Sequence, residues 1–159
     1  MQSDIWKCYN WFQGRAEDRI LNWRRYRETL DTDHLDTVAK DWAAAPVIHN
    51  YLDPENFTQW PTAWELISEG KFCDVGCALG MYYTLFYSNY PQRNTMKLEY
   101  YRDRKNHRLL NLLNCEQGKY MLNYSLGEIV NNRYIASSEL VYSIDHSYLK
   151  ITRNQHERW

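Results

Sequence analysis

The sequence carries almost no net charge: 19 Lys and Arg are set against 20 Asp and Glu, a formal −1 over 159 residues. So even a balance gives no electrostatic reason to expect nucleic acid or an anionic membrane as a partner. A run of about 18 apolar residues, the length that would suggest a membrane span, is missing. The opening residues MQSDIWKCYNWF lack a basic start and a continuous apolar stretch, so they do not read as a signal peptide. The expectation is a soluble, cytoplasmic protein. No internal repeat and no low-complexity segment is present. Cysteine is sparse, at Cys8, Cys73, Cys77 and Cys115. With no secretion signal, free thiols are expected rather than a disulfide framework. Cys73 and Cys77 could in principle join His107 on zinc. Their spacing is not that of a knuckle or ribbon, and no second Cys pair exists, so neither metal nor cofactor is expected.

What the sequence does have is aromatics, 16% of residues, with 7 Trp and 14 Tyr. That richness predicts a tightly packed globule or sticky aromatic contact surfaces. The length predicts one domain, 1–159, with a helical part over 1–59, a core over 60–152 and a tail over 153–159. Periodicity predicts helices over Asp4–Phe12, Arg15–Leu30 and His34–Ala45, with Ile20, Trp23, Tyr26 and Trp42 on buried faces. Arg15, Arg19, Arg24, Arg25 and Arg27 make the second of these basic, but Glu17, Asp18 and Glu28 interleave with them, as on an ordinary solvated face. His34 and His49 belong to no motif and read as surface or packing histidines.

The informative stretch is Trp60–Leu85, WPTAWELISEGKFCDVGCALGMYYTL. Thr62 and Glu65 form a capping-box pattern, and Gly70 supplies a helix stop. A second, apolar helix then begins near Cys73. A thiol at that point meets unpaired amides and the positive end of the helix dipole, which favour a thiolate. Cys77 falls one turn inside the helix and is the second choice of nucleophile. The alternative is that both thiols are small buried core residues. Gly76 and Gly80 count against the helix, at about 1 kcal/mol each relative to alanine.

Downstream, Thr95–Arg102 alternates like a strand, and a polar turn leads into HRLLNLLN, a strand beginning at His107. On its own, HRLLNLLN could equally be a helical segment. The turn CEQGKY leads to Tyr120–Tyr124, another strand start, bringing Asn123 level with His107. Ser125 and Glu128 form a second capping-box pattern, predicting a short helix to about Asn131. Tyr134–Ile144 and Tyr148–Thr152 read as later strands. Helices followed by a mostly antiparallel sheet make an α+β layout.

Cysteine, then histidine, then Asn or Asp is a papain-type chain order, and here the sequence resembles the transglutaminase-like cysteine protease superfamily over 60–129. The resemblance rests on Trp60, Pro61, Thr62, Glu65, Gly70, Cys73 and Asp74, then His107, and then Tyr120, Leu122 and Asn123. It implies a cysteine-bearing helix packed on a sheet that carries the histidine and its orienting residue. It also implies thiol acyl transfer or amide hydrolysis, with Cys73 as nucleophile, His107 as base and then acid, and Asn123 fixing the imidazole. Gln59 or Trp60 would supply a second oxyanion donor. Three positions depart from the family pattern: Phe72 stands before the cysteine, Arg108 follows the histidine, and Asn123 replaces Asp. A peptide or protein substrate is expected if the chemistry is kept.

The other reading is a noncatalytic structural or assembly protein. The texture, rich in Tyr, Asn and Trp, is similar to that of tailed-bacteriophage proteins, which implies a virion-associated role. The fold would then be a scaffold, with the aromatic N-terminal helices contacting a protein partner or a second copy of the chain.

Overall fold

The computed structural model describes residues 11–48 and 52–151. Among the described residues four helices precede a sheet: α1 Ala16–Thr29, α2 Asp36–Trp42, α3 Ala63–Glu69 and α4 Asp74–Phe86. Five strands follow: β1 Lys97–Asp103, β2 Arg108–Cys115, β3 Tyr120–Asn123, β4 Glu128–Val130 and β5 Glu139–Ile144. They lie in the order β4-β3-β2-β1-β5, and every neighbouring pair is antiparallel. The architecture is α+β, as expected from helices first and strands after.

The helix α4 is the centre of the molecule. Every residue from Val75 to Leu85 is buried. A helix apolar all round belongs inside a protein, and this one lies between the other helices and the sheet. Asp74 at its first position complements the positive end of the helix dipole. Gly80 has a packing reason for its place in the helix: a Cβ there would run into the Trp42 ring of α2. The helix before it ends as the sequence predicts. Thr62 Oγ1 accepts from the Glu65 amide at 3.2 Å, Glu65 Oε1 accepts from the Thr62 amide at 2.8 Å, and Gly70 takes the left-handed conformation at φ 65°. That stop and the extended Cys73 turn the chain into α4.

One face of the sheet joins the main core through Leu98, Leu113, Cys115, Leu122 and Ile144. The other carries a smaller cluster of Tyr101, Leu110, Leu112, Met121 and Val130, packed by Tyr134 and Ile135 from the β4–β5 connection. Trp11, Trp23, Tyr26 and Trp42 are fully buried in the main core. The aromatic faces of α1 and α2 therefore pack inside this chain. Most of the expected helix Asp4–Phe12 lies outside the described residues.

Three expectations about elements give way. The helix predicted from Ser125 to Asn131 is instead a tight turn followed by β4. Gly127 is left-handed at φ 69° and its amide donates to the Asn123 carbonyl at 2.9 Å, while the Asn123 side chain accepts from the Ser125 amide at 2.9 Å. Asparagine and glycine turn chemistry thus overrides the capping-box pattern. The strand expected from Tyr134 begins only at Glu139, because 132–137 is a run of turns. The strand expected over Tyr148–Thr152 does not form among the described residues: Tyr148 ends a 3-10 turn at His146–Tyr148, 149–151 are not strand, and Thr152 lies outside the described residues.

Candidate functional site

Cys73 is the N-cap of α4, as the sequence suggested, yet its side chain has no exposed surface. It makes no capping hydrogen bond. A Cβ placed on Gly76 would lie 3.7 Å from the Cys73 sulfur, 3.6 Å from Leu66 Cδ1 and 3.9 Å from Leu52 Cδ1, so the thiol sits among apolar side chains at the helix entry. Phe72 before it is also fully buried, and its ring meets Phe12 and Trp42 edge to face. Cys77 is buried as well, and burial pushes its thiol far above the ordinary value, helped by Cys73 and Asp74. Burial likewise raises the Cys115 thiol, to about 12. Desolvation disfavours the charged thiolate at both positions.

His107 lies elsewhere. It occupies the β1–β2 turn with a left-handed φ of 53°, is exposed, and precedes the first residue of β2. Among the described residues it makes no hydrogen bond with a cysteine. Asn123 ends β3 and is 2% exposed, with its Oδ1 engaged by the Ser125 amide. Gln59 is exposed at the end of a 3-10 turn. Trp60 is buried, and its indole N–H already donates to the Asp53 carbonyl at 2.8 Å.

A pocket of about 130 Å³ opens at the entrance of α4. Asp74, Asn111, Asn123, Tyr124 and Ser125 supply its polar lining, while Leu109, Leu110 and Tyr134 complete the wall. Of the three residues expected as a triad, only Asn123 lines it. Its histidine is absent because His107 stands four residues before Asn111, on the order of 10 Å away along the strand. Asp74, the residue after the cysteine, occupies the helix mouth and accepts a hydrogen bond from the Tyr124 hydroxyl. Asn111 comes from β2, and the two tyrosines from the turns after β3 and β4.

Arg108 explains the shape of the wall. Its Nε and Nη2 donate to Asp103 Oδ2 at 3.0 and 2.7 Å, and Nη2 also donates to the Tyr134 carbonyl at 2.9 Å. Its guanidinium carbon lies 4.4 Å from the Tyr134 ring centroid. The arginine that departs from the family pattern thus holds Tyr134 against the sheet. Asp74 was one of the residues that carried the family resemblance, without a role of its own, and Tyr124 was legible only as the end of an expected strand. Asn111 carried a faint signal, a polar residue inside the apolar run HRLLNLLN. Tyr134 carried none.

No protein-family model matches the chain, and no curated protein matches its sequence. Among solved structures it is similar to LapG of Legionella pneumophila. The EGTA-treated form matches with a TM-score of 0.62 and 15% identity, over 89% of this chain and 80% of LapG. The calcium-bound form matches with a TM-score of 0.61 and 15% identity, over 89% and 82%. LapG has the transglutaminase-like cysteine protease fold, and at this identity the likeness shows the fold alone.

Proposed function

We propose that this chain keeps the transglutaminase-like cysteine protease fold as a noncatalytic binding module, without thiol acyl transfer or amide hydrolysis at Cys73. One observation carries the reading: the pocket at the α4 entrance is open and polar, but its lining offers a carboxylate and amides rather than a thiol and an imidazole. A nucleophilic thiol must meet its substrate and lie within hydrogen-bond reach of its base. Complete burial of Cys73 and the exposed turn position of His107 oppose both conditions. Exchange of the catalytic function for a binding surface also accounts for Phe72 and Arg108. Phe72 anchors the segment before Cys73 in the core, and Arg108 builds a pocket wall.

The test compares the native protein with Cys73→Ala in two assays, cleavage of a casein peptide mixture and incorporation of a fluorescent amine into a glutamine-containing peptide. The expected result is the same background in both proteins. Turnover by the native protein that disappears in Cys73→Ala contradicts the proposal.

A further inference from the structure

We propose that the α4-entrance pocket binds a neutral, polyhydroxylated ligand, a single sugar ring. This rests on the noncatalytic reading of the same site, which leaves the pocket free to hold a ligand rather than transform it. The pocket lining holds hydrogen-bonding groups that no described residue engages. Asn123 is 98% buried, since it is 2% exposed, and its Oδ1 is taken by the Ser125 amide. Among the described residues its Nδ2 has no partner, and it lines the pocket. The little surface that Asn123 keeps opens on the pocket, so an acceptor held there can meet Nδ2. Asp74 accepts from the Tyr124 hydroxyl through Oδ1, which leaves Oδ2 as an acceptor without a partner among the described residues. The Asn111 side chain, likewise without a described partner, adds both donors and an acceptor.

Charge then narrows the ligand. A carboxylate or phosphate would face the Asp74 carboxylate. A cation would have to compete with the positive end of the 13-residue helix α4 for that same carboxylate. Arg108, whose guanidinium lies on the Tyr134 ring of the wall, is committed to Asp103. What remains is a neutral ligand whose groups both donate and accept at close spacing. Hydroxyls do so, and adjacent hydroxyls on a ring can meet Asp74 Oδ2, Asn111 and Asn123 Nδ2 together. Leu109, 60% exposed, and the Tyr134 side chain offer apolar wall for the C–H face of such a ring. A volume of about 130 Å³ suits one ring rather than a nucleotide or a larger cofactor.

The probes are the methyl glycosides of glucose, galactose, mannose and N-acetylglucosamine at millimolar concentration, observed by saturation-transfer NMR. Butylamine, butyrate and an alanine tripeptide amide serve as comparators. Transfer to the ring protons of at least one glycoside is expected, with weaker or no transfer to the comparators. Asp74→Asn, which preserves shape, and Asn111→Leu should each weaken glycoside binding about tenfold, the scale of one lost hydrogen bond. Circular dichroism establishes that each variant is folded, and Asp74→Asn carries the test alone if Asn111→Leu is not. No transfer to any glycoside, transfer unchanged in the folded variants, or stronger binding of the amine, the acid or the peptide overturns the proposal. Cysteine reactivity is read separately. A reactive Cys73 with glycoside binding intact defeats only the noncatalytic reading, and a protected Cys73 with no glycoside binding defeats only this one.

Discussion

Thr84 sits where two indoles meet. Its Oγ1 accepts from Trp23 Nε1 at 3.0 Å and from Trp42 Nε1 at 3.1 Å, and the hydroxyl donates to the Gly80 carbonyl at 2.7 Å. All of these side chains are buried, so removal of the oxygen leaves two N–H groups without water to replace it. Thr84→Val keeps the shape and should cost about 3 kcal/mol, from two donors at 1–3 kcal/mol each. Urea unfolding checks it, and a loss well under 1 kcal/mol contradicts the assigned network. Cys73 illustrates the limit of reading at this scale. Its position at the helix start was legible from Gly70 and the apolar run, but whether the thiol faces a pocket or the core depends on Leu52 and Leu66, which reach it from other parts of the chain beside Gly76 of its own helix. No local pattern in the sequence states that.

The β1–β2 hairpin is the element whose chemistry is most self-contained. Asp103 and Arg108 are its closing pair, and Asp103 Oδ1 and Oδ2 also accept from the Asn106 amide and side chain at 3.1 and 2.9 Å. The Asn106 side chain, and with it the Arg108 guanidinium, holds the Asp103 carboxyl well below the usual range. A carboxylate whose pKa falls on folding stabilises the folded state above its unfolded value and loses that effect as pH falls toward the depressed one. The stability difference between native protein and Asp103→Asn should therefore be steady above about pH 5 and shrink below about pH 4, near the unfolded carboxylate value. Denaturant unfolding across pH measures it, and a difference that stays constant down to about pH 2 contradicts the assignment. The hairpin also shows why strands were easier to place than their ends. The alternation before Arg102 and the apolar run after His107 were local signals, whereas β4 was hidden behind a capping-box pattern that Asn123 and Gly127 turn into a reversal.

At the scale of the whole molecule, the α+β order of elements followed from helical periodicity in the first half and alternation in the second. The capped helix α3, its glycine stop and the start of α4 were legible residue by residue, because caps and stops are local. The site was legible only in outline. The sequence pointed to the mouth of α4 and to Asn123, and both are at the pocket. Asn111 and Tyr134 arrive through sheet register and through the clamp made by Arg108, which are properties of the assembled fold. The central claim is that this fold encloses Cys73 rather than arming it. Its most direct test is the alkylation rate of each cysteine in the native protein from about pH 5 to 9, read by peptide mass spectrometry, with His107→Ala alongside. The account predicts that Cys73 is protected across that range, labelled as slowly as Cys77 and Cys115 and unaffected by the histidine substitution. Fast labelling of Cys73 near pH 6, well below the ordinary thiol pKa of about 8.5, that slows in His107→Ala would contradict it.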